Sequence, residues 1–342
     1  LNKIKVLVLL SILVVAFLLD VALGSVHIPL KDVIKVLFTP DAGNDTWVYI
    51  IEKIRLPKAL TAIIVGCGLS VSGLQMQTLF RNPLAGPSVL GITAGASLGV
   101  ALVMLSAGSI TSLYTIKELG ISGSWLIIVA SSLGAALIMI LIVSISSSLK
   151  DNVIVLIVGV MIGNITLSVI SIWQYFSSPE LIKDYLLWTF GSLGGVTGGQ
   201  LLILAIVVFA GLLISFLSSK LLDALLLGDN YARSMGLTVK RARILIIGST
   251  SILAGGITAF CGPIGFIGIA VPHLARALFN TSNHRILIPA CCLIGTVLML
   301  ICDIVAQLPG SQTVLPINVI TALVGSPVVI WIIAGPTKLR GF

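Results

Sequence analysis

Nine apolar runs, each long enough to cross a hydrocarbon layer, dominate this chain. They lie at about 5–24, 58–79, 89–106, 122–145, 153–176, 199–219, 243–261, 286–307 and 315–334. A helix needs about 20 apolar residues to span a bilayer core. A tenth run at 264–279 is shorter and is broken by Gly262-Pro263, Gly265 and Gly268; it reads as a spanning helix packed within protein. Only 9% of the 342 residues are charged, against about 25% in soluble chains. Lipid must therefore cover much of the surface. The expected fold class is an all-α membrane protein of ten transmembrane helices, residues 1–342 forming one domain. Thirty-four glycines suit helices that attract one another by close approach, since hydrocarbon supplies no hydrophobic drive between them.

An even number of spans puts both termini on one side. With the N-terminus inside, Lys3, Lys5, Arg81, Lys150, Lys220, Arg233, Lys240, Arg241, Arg243, Arg276, Arg285, Lys338 and Arg340 fall in inner loops. The outer loops dilute Lys31, Lys35, Lys53, Arg55, Lys58, Lys117 and Lys183 with acids that include Asp41 and Glu118. The positive-inside rule then gives cytoplasmic N- and C-termini in a cell membrane. The net charge of +8 is explained by those loops. No basic stripe points to nucleic acid. Residues 2–25 are expected to be an uncleaved first helix rather than a signal peptide.

Three segments outside the spans carry structure of their own. An outer loop is expected over 25–57, and a short outer helix over 179–188, starting at Pro179. An inner segment, 220–242, should hold two short helices around Gly228, the second capped by Asp229 or Asn230 and closed by Gly236. A weak internal echo relates Gly86–Ile92 to Gly262–Ile269, with one residue inserted.

The chemistry of most enzymes is missing. There is no P-loop, no His-Glu-x-x-His, no Gly-x-Ser-x-Gly and no paired intramembrane carboxylates. His27, His273 and His284 are far apart in sequence, and the five cysteines lack metal or redox spacing. No cofactor or metal is expected on this chain. Asp303 lies well inside a span and Asp20 near the end of the first. Asp303 reads either as a packing residue or as the ion site of a gradient-driven secondary transporter. Asn164, Ser168, Ser171 and Tyr175 form a polar stripe at helical spacing on the fifth span, facing either a partner helix or a water-filled passage.

Three motifs bring in a family. Arg81–Pro87, Leu227–Gly236 and the Gly262–Arg276 run resemble the permeases of ATP-binding-cassette importers for iron-siderophores, haem and cobalamin, the type II importers. Arg55-Leu56-Pro57, Leu315-Pro316-Ile317 and Gly325-Ser326-Pro327 fit as well, with Lys58 and Ser326 departing from the usual Arg and Ala. The resemblance implies two permease subunits, identical or closely similar, with the passage between them. It also implies two cytoplasmic ATPase subunits that bind ATP and Mg, and a periplasmic or lipid-anchored substrate-binding protein. By the same resemblance Leu227, Gly228, Ala232, Arg233 and Gly236 couple to the ATPase. The fifth-span stripe lines the passage. Arg55 either meets an acid of the binding protein or anchors a helix end. His273 and Arg276 cap and anchor the eighth span, and Asn82 and Pro83 shape a turn. The cargo is expected to be a metal chelate, an iron-siderophore ahead of haem or cobalamin.

Overall fold

The computed structural model describes residues 3–26, 28–39, 44–105, 123–149, 151–307 and 313–334. His27, Pro40, Asp41, Lys117, Glu118, Lys150, Lys338 and Arg340 lie outside the described residues. Ten helices match the ten expected spans: α1 (Lys3–Ala22), α4 (Leu56–Phe80), α5 (Ile92–Met104), α6 (Gly123–Ser148), α7 (Asn152–Phe176), α9 (Gly198–Leu217), α12 (Val239–Cys261), α13 (Ile267–Phe279), α14 (His284–Ala306) and α15 (Ile317–Ala334). Shorter helices join them: α2 (Leu30–Phe38), α3 (Asp45–Tyr49), α8 (Pro179–Thr189), α10 (Ser219–Leu226) and α11 (Asp229–Ser234).

The outer segment 25–57 is thus mostly helical rather than a loop. Asn44 caps α3 by accepting from the Thr46 N–H at 3.0 Å. A π-helical stretch, Ile50–Arg55, carries α3 into α4 without a break. The wider turn falls just ahead of Pro57, which has no N–H to give the helix ladder.

The core is built on α4, buried along nearly its whole length. Its neighbours come within backbone contact. A Cβ on Gly73 would overlap the Gly268 carbonyl of α13, and one on Gly66 would overlap Gly295 of α14. Such small-residue crossings replace the hydrophobic drive that lipid cannot supply. Hydroxyls and amides then lock the seams. Ser70 Oγ donates to the Cys291 carbonyl at 2.9 Å. Gln75 accepts from Thr250 at 2.9 Å and donates to Ser249, which lies 3.0 Å from Ser215 of α9.

The internal echo has a structural counterpart. In each half a long helix ends in a Gly-Pro break and a short helix follows: α4 then α5, and α12 then α13. The halves pack crosswise, α4 against α13 and α14, α12 against α5 and α6. The first and third sequence motifs meet at this crossing. His273 Nε2 pairs with the Pro83 carbonyl at 2.8 Å, Arg276 donates to Gln77 Oε1 at 2.7 Å, and Gln77 donates to the Ile269 carbonyl at 3.0 Å. Asn82 Oδ1 accepts from the Leu84 N–H at 2.9 Å, holding the turn.

Candidate functional site: a buttressed loop and an open helix face

Lys5 donates to the Leu278 carbonyl at the end of α13, and His284, just beyond, bonds to Asp223 of α10, so the start of α1 lies at the same end of the molecule as α10 and α11. That end is marked by Gly228, the opposite one by Arg55. Gly228 sits between the two short helices at φ 110°, a conformation that a residue with a Cβ rarely adopts. Any Cβ there would also lie 3.3 Å from Arg81. Gly236 closes α11 at φ 81°, with the Leu237 N–H returning to the Ala232 carbonyl at 3.0 Å.

The loop has an inner and an outer side. Ala232 is fully buried, so this expected contact residue faces the core. Leu227, Tyr231 and Met235 are 63%, 50% and 60% exposed. Tyr231 and Met235, four residues apart, share one side of α11, and Leu227, across the Gly228 turn, lines the adjoining cleft with Tyr231. Tyr231 and Met235 were not singled out in the sequence, although that spacing was visible there. Arg233 is also exposed. Beside this face lies a polar cleft of about 570 Å³, lined by Arg81, Asp151, Asn152, Asp229, Asn230 and Arg233 among others.

Behind the loop, ties run to several helices. Asp229 does not cap α11; Gly228 holds the cap position without a side chain. The Asp229 carboxylate instead lies 3.6 Å from Arg243 of α12 and accepts from Asn152 of α7 at 3.4 Å. Asn152 also donates to the Leu79 carbonyl of α4, and Arg243 to the carbonyls of Ser146 and Leu149 at the end of α6. On the other flank, Asp223 of α10 accepts from the His284 backbone N–H at 2.9 Å and ring Nδ1–H at 2.6 Å, while His284 Nε2 meets Thr78 of α4 at 2.8 Å. Burial would raise the Asp223 carboxyl, but the bonds from His284 outweigh it and hold that group below its usual range. The two short helices are thus bonded to α7, α12 and α14, and through Asn152 and Arg243 to α4 and α6.

Comparison with known proteins places this architecture. Residues 12–335 match the model of the FecCD transport family. The chain belongs to that family. This permease is 32% identical to the hemin transport system permease protein HmuU of Yersinia pestis over 325 residues, 94% of each chain. It is 34% identical to the vitamin B12 import system permease protein BtuC of Shigella boydii over 335 residues, 97% of this chain and 95% of that one. Among solved structures, an inward-facing metal-chelate type ABC transporter matches with a TM-score of 0.82 at 27% identity, covering 96% of this chain and 98% of that one. The permease accordingly has the type II importer fold, and its family transports rather than catalyses bond chemistry.

Within the permease, the stripe expected to line the passage lies on the open side of α7. That helix buries Asn152, Val155, Gly159, Gly163, Thr166 and Ile170 against the body, with Leu156, Ile162 and Trp173 partly buried beside them. Asn164, Ser168, Ser171 and Tyr175 all point away from this seam and are exposed. Ser168 and Ser171 donate to carbonyls of their own helix at 2.9 Å, so neither needs an outside partner.

At the opposite end, Arg55 acts as an anchor. Its side chain is buried, and the guanidinium donates to the Val21, Ala22 and Val26 carbonyls, capping the end of α1. The exposed charges beside it are Glu52 and Lys53. Close by, the fold corrects the reading that no carboxylates pair in the membrane. Gln307 Nε2 donates to both Asp20 and Asp303 at 3.0 Å, and Lys58 lies 3.0 Å from Asp303. Three buried groups and the part-buried Lys58 tie α1, α4 and α14 together. Asp303 is thus ion-paired within the scaffold.

Proposed function

We propose that this permease is the membrane-spanning subunit of an ATP-driven importer that carries a metal chelate into the cytoplasm, an iron-siderophore ahead of haem or cobalamin. The observation that carries the reading is the Gly228 loop: an exposed Leu227-Tyr231-Met235 face backed by ionic and hydrogen-bonded ties to five spanning helices. A surface meant only for water has no need of three large apolar side chains. One meant to be pushed needs both a contact patch and stiff backing. A cytoplasmic ATPase pair docks on that face, with Leu227 and Arg233 in contact and Gly228, Ala232 and Gly236 setting the loop's shape.

Charge supports the orientation. The Gly228 end carries Lys3, Lys5, Arg81, Lys220, Arg233, Lys240, Arg241, Arg243, Arg276 and Arg285 against Asp151, Asp223 and Asp229, whereas charges at the Arg55 end nearly balance. A second permease subunit faces the open side of α7, and the chelate passes between the Asn164-Ser168-Ser171-Tyr175 stripes. Weakly polar walls suit a cargo whose own ligands already shield the metal. The binding protein docks at the Arg55 end. Haem transport by HmuU and vitamin B12 import by BtuC support the cargo class.

The test is reconstitution of the permease with its ATPase and binding protein in proteoliposomes. ATP-dependent accumulation of a ferric siderophore is expected. Uptake driven by a proton gradient without ATP would overturn the reading. So would accessibility labelling that places Tyr231 outside the cell.

A further inference from the structure

Helix α2 has three distinct faces. Val33 and Val36 are buried, with Leu37 partly so, which fixes a seam against the body. Leu30, Ile34 and Phe38 are 44%, 40% and 81% exposed and, four residues apart, form an apolar stripe. Lys31 and Lys35, both exposed, run beside that stripe one turn apart. At 3.6 residues per turn, the apolar stripe is centred about 110° round from the seam. The lysines lie roughly 80° further on, and Asp32 beyond them.

We infer that α2 lies in the interface of the outer leaflet, with its apolar stripe in the acyl boundary and Lys31 and Lys35 on lipid phosphates. The order of the faces fits a helix held flat on a bilayer: protein on one side, hydrocarbon next, cationic groups at headgroup level, an acid towards water. Lysine stems can lie along the apolar surface while their ammonium groups reach the phosphates. The neighbouring α1, which packs against α2, likewise exposes Val14, Val15 and Leu19. Tyr49, 62% exposed on the neighbouring α3, adds the kind of aromatic side chain enriched at this depth. A protein partner with acidic groups would satisfy the lysines but would leave Leu30, Ile34 and Phe38 to be covered separately.

The experiment places the photoreactive p-benzoylphenylalanine at position 38 of the full chain, in liposomes of phosphatidylglycerol and phosphatidylcholine, and identifies adducts by mass spectrometry. Lipid adducts should dominate, in yield comparable to the same label at Val14 and unchanged by added binding protein. Lys31→Gln with Lys35→Gln should lower the phosphatidylglycerol share of the adducts about fivefold. Adducts to a protein, or no lipid adduct at 38 while position 14 labels, would overturn the assignment. An unchanged lipid ratio in the double variant would remove the lysines' role in it.

Discussion

Helices α4 and α7 invert the rule of soluble proteins. In the span that includes α4, 78% of the most apolar window is buried, against 22% for α7, yet the buried helix is the less apolar of the two. Thr61, Ser70, Ser72, Gln75, Gln77 and Thr78 are all buried on α4, while α7 turns Ile157, Ile165 and Ile172 outwards. Water would have reversed the arrangement. In lipid, apolar side chains are content outside, so the interior goes to small residues that allow contact and polar groups that bond across it. The buried helix is the one with most to hydrogen-bond across its seams; α7 makes such bonds from Asn152 at its start.

That contrast can be broken at its strong end first. Lys58→Met removes the partner of buried Asp303 and should cost about 3 kcal/mol, read as a fall in the thermal midpoint of the purified protein. The matching change on α7, Tyr175→Leu, should leave that midpoint in place. Gly73→Ala forces a Cβ into the Gly268 backbone and should cost about 2 kcal/mol, whereas Gly198→Ala, in open space at the start of α9, should not. An α4 that absorbed Gly73→Ala would show that backbone contact does not hold the core.

Weaker effects sharpen the same comparison. Gly228→Val strains the loop by about 1–3 kcal/mol; the protein should still fold, but uptake should fall about tenfold relative to ATP hydrolysis. Ser168→Ala with Ser171→Ala should change stability by no more than about 0.5 kcal/mol. Any loss of transport by that pair would then report on the passage. The smallest effect is pH-linked. Because the Asp223 carboxyl is held below its unfolded value of about 3.8, its contribution is present above that pH and is lost as the pH falls through the lower folded value. Asp223→Asn should flatten the melting temperature between pH 5 and about 3.

The spans were legible because length and apolarity are local properties. All ten appear within a few residues of their expected ends, and so do α8 and the pair around Gly228. What could not be read is which helix faces which. Asp20 and Asp303 are separated by most of the chain, and nothing in either neighbourhood announces the other or the Gln307 bridge. Which of its two readings Arg55 takes, a contact for the binding protein or an anchor for a helix end, was closed to the sequence for a related reason. Its partners are backbone carbonyls, which carry no side-chain signature. Around Gly228, the four-residue spacing of Leu227, Tyr231 and Met235 was available, but only the fold shows that Ala232 takes the inward side.

The crossings at Gly66–Gly295 and Gly73–Gly268 have a mechanical consequence. Where main chains touch, no side chain is left to yield, so α4, α13 and α14 behave as one stiff plate running from one membrane face to the other. A displacement delivered at one rim should reach the far rim little diminished; α7 makes its own close approach on its seam side, where Gly159 and Gly163 meet Leu90 and Gly91.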